Sequence, residues 1–140
     1  MTTASLEDLT SKVLLALVSA TFGACFKALA DTHRVRALLP IVLEQLQRTT
    51  QLCESAFALA DAQQADLLCE SCFKAMCELV ALGVRPQQRW RDGARLLLDT
   101  GVAIRAVTGR GSSATTSAFD HVRSHGTALR TWLQSVPPAR

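Results

Sequence analysis

The sequence predicts an all-α fold: a single-domain bundle of five to six antiparallel helices over residues 1–136, with a short tail at 137–140. Three observations predict it. Apolar residues recur at helical spacing almost throughout, and strand alternation is hard to find. The clearest punctuation, Gly83 with Pro86 and the run Gly109-Arg110-Gly111-Ser112-Ser113, falls between periodic segments. With 140 residues, 49% hydrophobic and 19% charged, the chain is one ordinary domain with enough apolar content for a core. No internal repeat or domain linker is visible.

The first helix is expected from Ser5, an N-cap followed by Glu7 and Asp8, to about Ala30. It carries two apolar stripes, Leu6, Leu9, Val13, Leu17, Ala20 and Leu14, Val18, Phe22, Cys25, Leu29, so it reads as a central helix covered on most sides. Residues 13–30 are apolar enough to raise a membrane-spanning reading, but Ser19, Thr21, Gly23 and Lys27 interrupt them and favour burial. Asp31-Thr32-His33 reads as a break. A second helix, about 34–49, contains Pro40, where it either starts late or kinks. A third, about 51–82, has a polar midpoint at Gln63-Gln64 and ends at Gly83 before Pro86. The fourth, from Pro86 or Gln87 to Val107, turns Trp90, Ala94, Leu97, Gly101 and Ile104 inward. The last, about 114–135, carries Phe119, Val122, Leu129 and Trp132, with Gly126 as an interruption, and Pro137-Pro138 ends the fold.

The net charge is +3, mildly basic, which permits contact with an anionic membrane surface. Aromatic residues are only 5%, too few for a base-stacking surface, so no nucleic-acid partner is expected. The N-terminus is polar and acidic rather than basic, unlike a secretory signal. Five cysteines, an odd number set in apolar text, read as free packing thiols of a reducing, cytoplasmic compartment rather than as a disulfide framework.

Motifs for catalysis are weak. Cys69-Glu-Ser-Cys72 lies inside a helix with no second pair, so it lacks the context of a zinc or redox site. His121 and His125 share a helix face at i, i+4, a spacing that can hold a metal, but no third ligand is evident. Gly109-x-Gly111 lacks the strand and lysine of a phosphate loop. No enzyme, cofactor or metal is therefore expected. Basic residues cluster at two turns: Lys27, Arg34 and Arg36 at the first, and Arg85, Arg89, Arg91 and Arg95 at the third. Arginines so placed can grip phosphate.

Several of these stretches together resemble the tumour necrosis factor alpha-induced protein 8 (TIPE) family. They are Lys12-Val-Leu-x-x-Leu17-Val-Ser19-x-Thr21-Phe22 leading to Asp31-Thr32, then Ala65-Asp-Leu-Leu with Phe73-Lys74-x-Met-x-x-Leu79-x-x-Leu82, then Arg105-x-Val107-Thr108-x-Arg110 followed by Phe119-Asp120-His121. The chain is shorter than typical members by about one helix. Ala16 and Ala20 stand where the family has basic residues, and Gly111-Ser112-Ser113 replaces Ser-His-Gly.

The resemblance implies a bundle around a hydrophobic cavity that takes phospholipid acyl chains, phosphoinositide-like, in signalling or cell-death regulation. Peripheral contact with anionic membrane and protein partners would accompany it. The head group would meet Arg85, Arg89, Arg91, Lys27 and Arg34. The cavity would be lined by Leu14, Leu17, Val18, Phe22, Leu68, Cys72, Met76, Leu79, Leu97, Ile104 and Phe119. The competing expectation is a helical protein–protein interaction module with a filled core and no small ligand.

Overall fold

A computed structural model describes the backbone of residues 2–136 and the side chains of residues 8–136. The fold is all-α, as expected. Among the described residues it has four α-helices and one short 3-10 turn: α1 (Thr2–Glu54), α2 (Leu59–Ala81), α3 (Gln87–Arg110), the turn Gly111–Ser113, and α4 (Thr116–Ser135). The chain divides into two compact units, residues 1–34 and 35–140, where the sequence reading places one domain over 1–136. Ser5 as a capping side chain and the tail at 137–140 lie outside the described residues.

The helix count is lower than expected because the break at Asp31-Thr32-His33 does not form. The Thr32 hydroxyl donates to the carbonyl of Ala28 at 2.8 Å, so it bonds back inside the helix instead of capping a new one. Pro40 also lies within α1. There its missing N–H removes one intrahelical bond without ending the helix. The real break comes later, at residues 55–58, inside text that reads as helical. It is set by Asp61, whose carboxylate accepts from the backbone N–H of Ala58 at 3.2 Å and of Phe57 at 3.3 Å. An acid in the first turn that reaches back to free N–H groups fixes a helix start. Gln63 and Gln64 sit inside α2 and do not bend the chain off its helix.

The other boundaries follow their signals. Gly83, at φ +84°, ends α2 in a Schellman turn: its N–H donates to Val80, and that of Val84 donates to Leu79. Pro86 precedes α3. Thr115 caps α4 by accepting from the N–H of Ala118 at 3.2 Å.

Within residues 35–136 the buried positions of each helix, Thr50 beside Thr49 apart, step by three and four. They are Leu38, Val42, Leu46, Thr49 and Cys53 on α1, then Ala62, Ala65, Cys69, Cys72, Met76 and Leu79 on α2. Trp90, Gly93, Leu97, Thr100, Ile104 and Val107 follow on α3, and Val122, Gly126, Leu129 and Trp132 on α4. Alternating three- and four-residue steps keep a narrow stripe facing the bundle axis. The stripe differs from the expected one at Gly93 and Thr100, which are buried where Ala94 and Gly101 were expected to point inward. The buried threonines cost little, because Thr49, Thr50 and Thr100 each donate to the carbonyl four residues back, at 2.7–2.8 Å.

Two glycines set the helix spacing. A Cβ on Gly93 would lie 2.2 Å from the Trp132 ring, and one on Gly126 would lie 2.8 Å from the Cβ of Cys53. Gly126 therefore does not interrupt α4; it lets α4 approach the end of α1. Trp132 stacks edge-on against Trp90 at 5.4 Å, and its indole N–H donates to the carbonyl of Arg89 at 3.0 Å.

Gly93→Ala is expected to lose about 1–3 kcal/mol by overpacking the indole. Gly109→Ala, exposed on α3 with nothing within 4 Å of the added carbon, is expected to be neutral or to gain about 0.5 kcal/mol. Urea unfolding of the two variants followed by tryptophan fluorescence tests this; equal stabilities would disprove the contact.

Candidate functional site

The residues expected to line one cavity fall into three environments. Cys72, Met76, Leu79, Leu97 and Ile104 are fully buried and fill the core by packing on its other members. Leu68 and Phe119 are half-buried. Leu14, Leu17, Val18 and Phe22 are exposed. The expectation of a covered first helix is thereby corrected. From Leu9 to Leu29 its large apolar side chains stand 51–68% exposed, on all sides of the helix. Hydroxyls within this stretch are reconciled with it locally: Thr21 donates to the carbonyl of Leu17 at 2.9 Å, so it adds no unmet donor. The segment belongs to a helix long and apolar enough to cross a membrane, and none of its apolar window is buried.

The expected head-group residues also separate. Lys27 and Arg34 are exposed in the first unit. Arg85 and Arg91 are exposed around the α2–α3 turn of the second, and Arg89 there is half-buried. The backbone carbonyl of Arg89 is already committed to the Trp132 indole, which ties that residue to the core contact.

A surface groove of about 520 Å³ opens between α3 and α4. Val102, Ala103, Ala106 and Ala118 give it an apolar floor, while Asp99, Arg110, Thr115, Ser117, His121 and His125 give it a polar rim. The histidine pair was legible in the sequence; its α3 neighbours were not, because only the register of α3 against α4 brings them across. Val102 in the groove lining and Leu98, one turn before it on α3, are both exposed large apolar side chains. Among the described residues no group of three or more His, Cys, Asp or Glu side chains could hold a metal.

Between α1 and α4 a second polar cluster is structural. Arg123 donates to the carbonyl of Ala56 at 2.8 Å, pairs with Asp120, and lies 4.3 Å over the Phe57 ring. It fastens the loop after α1, whose carbonyls α2 cannot satisfy.

Cys53, Cys69 and Cys72 are buried free thiols, whereas Cys25 and Cys77 are exposed. Burial pushes the Cys53 and Cys72 thiols up to about 12 and that of Cys69 to about 11; negative charge on neighbouring groups adds to it. The Cys69 thiol also donates to the carbonyl of Leu97 at 3.5 Å. Cys69-x-x-Cys72 is thus a pair of core side chains with almost no thiolate near neutral pH.

In detergent at pH 7.5, Cys25 and Cys77 are expected to react with a maleimide, and Cys53, Cys69 and Cys72 only after unfolding. Rapid labelling of the latter three in the folded protein would contradict their burial. Raised folded pKa values also set a sign. Stability from these protonated thiols is complete below pH 9 and falls as pH rises from 9 to 12, by up to about 1.4 kcal/mol per pH unit per thiol. Replacing all three by alanine or valine should flatten that alkaline slope in urea titrations.

Comparison of the chain with protein-family models, with curated proteins and with solved structures finds no match.

Proposed function

We propose that the protein is a non-enzymatic phospholipid-binding protein whose acyl contact is made by the outside of its apolar first helix, not by an internal cavity. The observation that carries this reading is the exposure of large apolar side chains on every side of residues 9–29. A monomeric protein in water rarely leaves so continuous an apolar surface uncovered. The span fits a bilayer in length: 18 residues at 13–30 make about 27 Å of helix, against a hydrocarbon core of about 30 Å. Lys27 is the single charge within it and lies within one turn of its end, where its stem can carry the ammonium to the head groups. The lipid class is the one that the TIPE-family resemblance implies; the mode of contact proposed differs from it because Leu14, Leu17, Val18 and Phe22, expected to line a cavity, stand exposed.

A second reading, a helical interaction module, is favoured by the exposed Val102 in the lining of the α3–α4 groove and the exposed Leu98 one turn before it. The two readings are compatible, the helix holding lipid and the bundle presenting a surface for a partner.

The test is flotation with vesicles of phosphatidylcholine and phosphatidylserine. Wild type should float with the vesicles, and a Val18→Lys, Phe22→Lys variant should drop at least tenfold in bound fraction. Each such charge costs about 2.5–3.5 kcal/mol at the centre of a membrane helix. Both positions are exposed, so far-UV circular dichroism and the bundle's melting should be unchanged. Wild type that stays in the aqueous fraction would end this reading.

A further inference from the structure

The two ends of the apolar helix differ in charge. On its N-terminal side the nearest cation is Lys12, which pairs with Asp8 at 3.4 Å, and Glu7 precedes them. On the other side Lys27 occupies the last turn, followed in sequence by Arg34 and Arg36 with Asp31 as the single nearby acid. Lys27 and Arg34 are seven residues apart and so share a helix face. Positive charge close to one end of a spanning segment sets its orientation, because lysine and arginine resist transfer across the membrane and are drawn to anionic lipid on the cytoplasmic leaflet; nearby acids contribute little.

We propose that residues 13–30 span the bilayer with Lys27, Arg34 and Arg36 at the anionic cytoplasmic leaflet, so that the chain from Arg34 onward is held on that side and Lys12 lies on the opposite one. This inference rests on the bilayer reading above and adds to it a direction and a head-group contact. The free thiols of the folded bundle are consistent with a reducing side. Anionic phospholipid head groups are the partner, since guanidinium and ammonium groups at the interface meet phosphate oxygens with charge-assisted hydrogen bonds.

The exposed Cys77 is a native reporter for the bundle, because Cys53, Cys69 and Cys72 are buried. In the full chain carrying Cys25→Ala, expressed in intact cells, a membrane-impermeant maleimide should leave Cys77 unlabelled until detergent opens the membrane. The same chain with Cys77→Ala and an added Thr3→Cys should be labelled from outside without detergent. Carbonate extraction of the same cells reports separately whether the chain is embedded. An embedded chain with Cys77 labelled from outside and Thr3→Cys protected overturns the orientation and leaves the bilayer reading standing. An embedded chain with both positions protected overturns the span, because the helix then lies along the inner face. A chain released by carbonate overturns both.

A charge-shift variant supplies the causal arm. Lys27→Gln, Arg34→Gln and Arg36→Gln combined with Asp8→Lys should raise outside labelling of Cys77 at least fivefold. Unchanged labelling would show that these charges do not set the direction.

Discussion

The bundle depends on how closely α3 and α4 can approach, and that distance is decided where the Trp132 indole lies on the bare backbone of Gly93. A side chain at position 93 would push the ring outward. The indole N–H would then leave the Arg89 carbonyl, and the edge-on contact with Trp90 would open. Everything below that contact follows its spacing: Leu97, Ile104 and Val107 meet Leu129 and Val122 only if the two helices stay near each other over their whole length. Gly126 does the same work against Cys53 at the junction of α1 and α4. A Cβ at either glycine would therefore force the packed helices apart, since packed interiors resist even small changes in volume.

The long first helix carries two different apolar patterns on one regular backbone. From Leu38 to Cys53 one apolar stripe is buried, with Ile41, Glu44, Gln47 and Arg48 exposed on other faces. From Leu9 to Leu29 apolar residues occupy every face. A bundle of this size covers a stripe, not a cylinder, and a helix apolar all round therefore asks for a different surrounding. The bilayer contact and orientation proposed above are argued from that difference in pattern and from the charges at the two ends of the apolar segment.

Much of the fold was legible in the sequence. The all-α class, the Gly83 stop, the start near Pro86 and the last helix all rest on local chemistry, in glycine that tolerates positive φ, proline that lacks an N–H, and threonine that caps. The failures were cases where one residue had two local options. Thr32 could cap a new helix or bond back to Ala28, and it bonds back. Asp61 could sit as a solvated helix acid or reach back to the N–H groups of Phe57 and Ala58, and it reaches back, which moved the break eight residues earlier than the Gln63-Gln64 midpoint suggested. Gly93 and Thr100 were missed as inward positions because hydrophobicity ranks Ala94 and Gly101 at least as high, while the actual choice was made by shape against Trp132 and by a hydroxyl that satisfies itself.

The candidate site was less legible, for a reason that lies in the physics of apolar helices. Periodicity distinguishes a stripe from its absence, but it does not say what covers a helix that is apolar on every side. The two stripes on residues 6–29 predict protein on most sides, yet lipid would leave the same pattern. The interruptions at Ser19, Thr21 and Gly23 do not decide between them either, because a hydroxyl bonded to the carbonyl four residues back is as well satisfied in hydrocarbon as in a core, and small residues are common in spanning helices. The four stripes of the bundle, Leu38 to Cys53, Ala62 to Leu79, Trp90 to Val107 and Val122 to Trp132, are each buried along one side of a helix. Residues 9–29 differ from all four in carrying exposed large apolar side chains on every face, and the proposed lipid contact is argued from that difference rather than from periodicity.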